Sequence, residues 1–216
     1  MKRSKGIPLL CVCLCAGMVL SSGGCVSVGN TPESRFYMLD GLEGDRGARD
    51  DISGFPAGTV VCVGPVKIPA YLARPQIVTR DKSDRLVFAQ FDRWGESLDG
   101  AMARLINEEL AGMFPGVTIE TFPWSFFISV RYQVIVELLD WDARLEEDLK
   151  VVVQWSILDV AGKNVILTKR SAFSQPIKPH TYEGLADALS VIMMSLSGQM
   201  AEALSQAYAQ PEKKAS

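Results

Sequence analysis

Histidine is nearly absent: His180 is the only one in 216 residues. A metal centre built on several imidazoles is therefore excluded, and any Ser–His or Cys–His arrangement must use this one side chain. It lies in "IKPHTYEG", between Pro179 and Thr181 and just ahead of a helical pattern, so it reads as part of the lead-in to that helix. Cysteine is scarce too. Cys11, Cys13 and Cys15 fall in the apolar N-terminal run, which leaves Cys25 and Cys62 and no CxxC pair to hold zinc. Cys62, inside "TVVCVGPV", reads as a small buried hydrophobe on a strand.

Recognisable catalytic motifs are missing as well. No GxSxG elbow occurs, and "SLSGQ" lacks the first glycine. In "DVAGKN" a phosphate loop would need Gly where Ile157 stands, and Ser or Thr where Asn164 stands. Asp140 and Asp142 have the opening spacing of a calcium loop. Arg144 then takes the third ligand position and Leu145 the place of the glycine, so "ELLDWDARLEED" reads as a solvated loop between strands. No spacing selects a carboxylate pair for glycosidase work. Neither catalysis, a cofactor nor a metal is expected.

Long apolar runs are missing from all but one place. Ile7 to Leu20 gives 14 residues, which as a helix would reach ~21 Å at 1.5 Å per residue, short of a ~30 Å hydrocarbon core. With Lys2, Arg3 and Lys5 ahead of it and "SSGG" behind, the run reads as a secretory signal peptide over residues 1–24. Cys25 directly after small residues resembles the lipobox of bacterial lipoproteins, with Ser22 standing where Leu is commonest. That resemblance implies lipidation of Cys25, and Val26 in place of Asp favours the outer membrane. Residues 25–34, "CVSVGNTPES", then form a flexible tether of roughly 30 Å at ~3.3 Å per residue. The tail at 210–216 is polar and frays.

A basic surplus is lacking. The chain has 22 Lys and Arg against 25 Asp and Glu. Removing residues 1–24 takes away three basic residues and no acid, which leaves 19 against 25, a net charge of −6. A general nucleic-acid binder is basic, so nucleic acid is not an expected partner. Basic charge is nevertheless concentrated in one stretch. Residues 67–93 hold Lys67, Arg74, Arg80, Lys82, Arg85 and Arg93 against Asp81, Asp84 and Asp92. Local positive charge on an acidic body suits a directed contact.

Alternation of apolar and polar residues is plentiful. In "ISVRYQVIVELL", Ile128, Val130, Tyr132, Val134, Val136 and Leu138 share one face. "LKVVVQWSIL" places Val151, Val153, Trp155 and Ile157 together, and residues 149–173 read as a hairpin turning at "DVAG". "RFYMLD", "TVVCVGPVKI" and "LVFAQF" are further strands. Helical spacing predicts one helix from Leu98 to about Met113, capped by Ser97 and stopped by Pro115 and Gly116. A second runs from after Thr181 to about Tyr208. The Gly/Asp-rich segment 41–58 reads as a long loop. The expected fold class is α/β: a single domain over residues 35–209, with a mixed β-sheet and packed helices.

The stretch "VGPVKIPAYLARPQIVTR", followed by "FDRWGESLDGAMARLINEEL", resembles the ABC-type transport auxiliary lipoprotein family, the PqiC-like group. The resemblance rests on Val66, Ile68, Pro69, Tyr71, Leu72, Arg74, Pro75, Gln76, Ile77, Val78 and Arg80, then Arg93, Trp94, Glu96 and Leu98. It covers nearly all of residues 34–208. It implies an anticodon-binding-domain-like fold, similar to the N-terminal domain of TolB. The implied job is a non-enzymatic outer-membrane lipoprotein, facing the periplasm, in a lipid transport system. The implied partner is a periplasm-spanning MCE-domain protein, with a ring-like homo-oligomer at the membrane. An alternative is a carrier that itself holds phospholipid acyl chains between sheet and helices.

Pro69 and Pro75 each remove a backbone donor and restrain their neighbours to extended conformations. "PAYLARP" is therefore expected to project as a stiff rim. The candidate partner-binding residues are Tyr71, Leu72, Arg74, Pro75, Gln76, Arg80 and Arg93, since Tyr and Arg dominate binding hot spots.

Overall fold

Five runs rich in β-branched residues assemble into one sheet, and a computed structural model of the chain shows how. Residues 32–41, 55–56, 58–161 and 163–209 are described. The signal peptide, Cys25, most of the tether, most of the 41–58 loop and the 210–216 tail lie outside them. The chain divides between Glu33 and Ser34. Of the first unit only Pro32 and Glu33 are described, both exposed. The second unit carries every element named below.

The larger sheet has the order β5–β2–β6–β7–β8. Its strands are β2 (Val60–Lys67), β5 (Thr118–Thr121), β6 (Tyr132–Ala143), β7 (Asp148–Asp159) and β8 (Asn164–Pro176). β2 runs parallel to both β5 and β6, and β6, β7 and β8 form an antiparallel meander. A strand flanked by parallel neighbours is covered on both faces, so it need not alternate. Accordingly Val61, Cys62 and Val63 are all buried in succession.

The meander keeps the expected alternation. Val134 faces Ile157, Val136 faces Trp155 and Leu138 faces Val153, all buried. A register shift between Leu138 and Asp140 then inserts an extra residue. Such a bulge resets the period-2 pattern, and Trp141 and Ala143 return to the buried side. Strand β6 starts at Tyr132, so Ile128 and Val130 belong to the connection before it. The acidic run from Glu137 is likewise strand as far as Ala143; only residues 144–147 turn.

The smaller sheet has the order β1–β4–β3, from β1 (Arg35–Tyr37), β3 (Gln76–Arg80) and β4 (Leu86–Trp94). β1 is parallel to β4 and β3 antiparallel. The mixed α/β architecture is thus present, divided between two sheets. They are joined where Trp141 Nε1 of β6 donates to the Val78 carbonyl of β3 at 2.9 Å.

Two helices cover one face of the larger sheet: α1 (Leu98–Met113) and α2 (Tyr182–Ala209). Ser97 caps α1 by accepting from the Gly100 amide at 3.3 Å, and Asp99 sits in the first turn, where the helix dipole favours an acid. Gly116, at φ +87°, takes the left-handed conformation that ends the segment after Phe114. Thr181 Oγ1 accepts from the Gly184 amide at 3.2 Å at the start of α2. Leu105, Ile106 and Leu110 of α1 and Leu189, Met193, Leu196 and Met200 of α2 are fully buried against Val134, Val153 and Trp155. The space between sheet and helices, where an acyl chain would have to lie, is thus occupied by the protein's own side chains.

Candidate docking face

Backbone turns decide which side chains of the proline-framed stretch face outward. The Leu72 amide donates to the Pro69 carbonyl at 2.9 Å, Ala73 to Ala70 at 3.3 Å, and Arg74 to Leu72 at 2.8 Å. These tight bonds curl the chain between Pro69 and Pro75, turning Tyr71 and Leu72 toward the core and leaving Ala73, Arg74 and Pro75 exposed. Leu72 points inward and is 2% exposed, among the core side chains. The sequence placed it on a binding rim; burial removes it from that surface. Tyr71 is half-buried against the core, and burial raises its hydroxyl pKa above the ordinary tyrosine value. Arg74 and Pro75 remain exposed.

Arg74 does not hang free. Its guanidinium lies 4.3 Å from the centre of the Phe88 ring, a cation–π contact that holds the charge flat over an exposed aromatic. The Pro75 carbonyl accepts from the Trp94 amide at 2.8 Å, which fastens the turn to the end of β4. Gln76 and Arg93 are direct partners across β3 and β4, and Arg93 is in turn level with Phe36 on β1. Phe36, Arg93 and Gln76 therefore form a row across the smaller sheet. Phe36 is 65% exposed, and buried Arg93 Nε has no hydrogen-bond acceptor among the described residues.

Immediately beside Arg93, β4 turns its next side chain to the interior. Asp92 is buried and accepts from Arg35 Nε at 2.7 Å, Arg35 Nη2 at 2.9 Å and the Tyr37 hydroxyl at 2.8 Å. Burial alone would push this carboxyl up, but the bonds from Arg35 and Tyr37 outweigh it and hold the pKa below its ordinary value. Tyr37 is pushed up to about 12, first by burial and then by its bond to Asp92. This group fixes β1 on β4 and so positions Phe36 next to Arg93.

Arg80 is used differently from the sequence reading. Its Nε donates to the Trp141 carbonyl at 3.3 Å and lies 3.7 Å from Asp142, so it braces β3 against β6. It borders a cleft of about 260 Å³ lined also by Lys82, Arg144, Glu146 and Glu147. The cations there are already paired: Lys82 with Glu146 at 2.8 Å, and Arg144 with Asp142 at 3.0 Å and with Asp84. The cleft is a brace of ion pairs, in which each lining Arg and Lys among the described residues already has an acidic partner. His180 Nδ1 lies 2.8 Å from the Leu145 carbonyl, and this lone imidazole sits in the segment ahead of α2, as its sequence context indicates. Burial pushes the Cys62 thiol up to about 12, which leaves it protonated and unreactive near neutral pH.

Of the seven predicted contacts, Arg74, Pro75, Gln76 and Arg93 are brought together at one edge, with Tyr71 half-buried beside them. Phe36 and Phe88 complete the face and were missed. A signal existed in the aromatic residues of "RFY" and "LVFAQF", but alternation alone does not say which face of a two-sided strand meets solvent.

The model of the ABC-type transport auxiliary lipoprotein component family matches residues 46–201. The chain belongs to this family. The match spans both helices of the domain, α1 in full and α2 to Ala201, and all strands except β1. A transport auxiliary component is not a class of enzyme, and its place is a membrane-anchored one in the envelope alongside a transporter. Two solved structures share the fold. The crystal structure of an uncharacterized protein has a TM-score of 0.64 at 14% identity, covering 80% of this chain and 99% of its own. Protein XCC0632 from Xanthomonas campestris has a TM-score of 0.61 at 9% identity, covering 80% and 96%. No curated protein matches in sequence.

Proposed function

We propose that this auxiliary lipoprotein is anchored through acylated Cys25 in the outer membrane and faces the periplasm. There it docks, as a homo-oligomer, on a periplasm-spanning MCE-domain protein and supports lipid traffic without catalysing a reaction. The observation that carries the reading is the exposed edge where Arg74 lies over Phe88 beside the Phe36–Arg93–Gln76 row. Aromatic and arginine side chains displayed together on a fixed scaffold have the composition of a hot spot. The partner supplies acidic and apolar groups to Arg74, Arg93 and the two phenylalanines, and the internal ties of the smaller sheet hold them in place before contact.

Capture of the purified MCE protein of the same transport system by the lipidated chain tests the reading. Wild type retains the MCE protein, and Arg74→Glu releases it. Retention that is unchanged in both Arg74→Glu and Arg93→Glu would reject this face. A wild-type chain that captures no MCE protein would reject the function.

A further inference from the structure

The most exposed aromatic side chains lie away from the docking edge. The crossover from β5 to β6, residues 122–131, contains "FPWSFFISV" at 122–130, with no charged residue. Phe126 is 86% exposed and Phe127 83%, their ring centres 3.8 Å apart. Neither ring packs on the core. Phe122 is 43% exposed and forms an edge contact at 5.7 Å with half-buried Trp124. The end of the crossover is fixed to the sheet, where the Arg131 amide donates to the Val60 carbonyl at 2.8 Å and the Val160 amide to the Arg131 carbonyl at 3.0 Å. The aromatic residues are thus presented from a firm base.

We infer that this loop is a membrane-contacting tip, and that Phe126 and Phe127 enter the interfacial zone of the bilayer to which Cys25 is anchored. The first argument is chemical. Aromatic rings favour the headgroup level of a bilayer, and an uncharged segment crosses into it without desolvating an ion. The second is the charge of the body, −6 after residues 1–24 are removed, which opposes adsorption to anionic headgroups and leaves an apolar contact as the means of approach. The third is reach. Eight residues separate Cys25 from Ser34, nine steps of at most ~30 Å in all, and a domain of ~175 residues has a radius of gyration of only ~16 Å. The anchor therefore holds the body beside the bilayer, within reach of any face that is not on the side opposite Ser34.

The inference rests on the proposed acylation of Cys25, so intact mass is measured first; an unmodified Cys25 overturns both readings. The molecule carries its own reporter. Of its four tryptophans, Trp94, Trp141 and Trp155 are buried, and Trp124 alone stands in the loop. The full lipidated chain is placed in phosphatidylethanolamine–phosphatidylglycerol vesicles containing phosphatidylcholine brominated at shallow or deep acyl positions. The shallow bromines quench Trp124 more than the deep ones, raised salt leaves the quenching in place, and Phe126→Ser/Phe127→Ser abolishes most of it. The double variant keeps its near-ultraviolet circular dichroism, because neither ring supports the core. An acylated wild type whose Trp124 fluorescence ignores the bromines at every depth overturns the membrane contact and leaves the anchor standing. So does protection of Trp124 that arises only on adding the MCE protein, which would assign the loop to a protein partner instead.

Discussion

Arg35 forks onto Asp92 with two bonds, 2.7 and 2.9 Å, and clamps the edge strand β1 to the middle of the smaller sheet. The acid is buried while the Arg35 side chain is 66% exposed, so solvent screens part of the attraction. The Tyr37 hydroxyl completes the set.

That arrangement has a defined pH signature. The folded pKa of Asp92 lies below its ordinary value of 3.8, so its contribution is present above that value and is lost as pH falls through the folded one. Tyr37 has the opposite sign: raised from 10.0 to about 12, it contributes below pH 10 and loses that contribution as pH climbs toward 12. Asp92→Asn should lower stability near neutral pH by about 1.5–3 kcal/mol, the range for bonds to a charged group. The gap to wild type should close under acid, where Asp92 is protonated in both states. The alkaline decline should persist in weaker form, because burial, the larger cause at Tyr37, survives the substitution. Thermal unfolding of both proteins from acid to alkaline pH checks this, and a gap that is constant with pH would count against the assignment.

Much of this architecture was legible in the sequence, and the failures share a cause. The two helices and strands β6 and β7 announce themselves through caps and alternation that are local in the chain, and β1, β2, β4 and β8 through short apolar runs and the turn at "DVAG". β5, "TIET", is too short to display a period, and β3, "QIVTR", was absorbed into the presumed rim because Pro75 precedes it. The tie of Arg80 to β6 could not be read because Trp141 and Asp142 are some sixty residues away in the chain, and the inward turn of Leu72 could not be read because a turn between prolines has no period at all. Which side chain turns inward there is set by bonds such as Leu72 to Pro69, and those depend on the fold. The exposed pair Phe126 and Phe127 escaped notice for the reverse reason: apolar residues next to a strand pattern look like core.

Leu72 and Arg74 therefore separate stability from docking within one turn. Leu72→Ala removes a fully packed side chain and should cost about 2–5 kcal/mol, with MCE capture unchanged at temperatures where the variant remains folded. Arg74→Glu touches only an exposed cation and the Phe88 ring. It should leave the unfolding midpoint within about 0.5 kcal/mol of wild type while weakening capture about tenfold or more, as expected for a hot-spot arginine. Denaturant titration and capture, measured on both variants, check the division. Loss of capture in folded Leu72→Ala would return that residue to the interface.

The joint between the two sheets can be weakened at one atom. Trp141→Phe keeps most of the ring volume but deletes the indole donor to the Val78 carbonyl. A buried acceptor left without its partner costs about 1–3 kcal/mol. Hydrogen exchange should show the β3 amides opening sooner, with the β7–β8 ladder protected as before. Uniform loss of protection across both sheets would mean that they unfold as one unit and that this bond is not their hinge.

Gly184 gives the sharpest contrast between local rule and fold. It stands in the first turn of α2, where exchanging glycine for alanine ordinarily stabilises a helix by about 1 kcal/mol. Here an added Cβ would lie 2.0 Å from the Pro179 carbonyl oxygen and 2.9 Å from the Lys178 carbonyl carbon, both backbone atoms. Backbone cannot rotate aside as a side chain can, so the 178–181 segment must shift, and with it the Thr181 cap and the His180 contact to Leu145. Gly184→Ala should therefore destabilise by about 1–3 kcal/mol, the usual cost of forcing atoms into a packed site. Gly198 lies farther along the same helix with open space around its would-be Cβ, so Gly198→Ala should be neutral or stabilising. Urea unfolding of the two variants side by side reads the sign directly, and a stabilised Gly184→Ala would show that residues 178–181 yield freely.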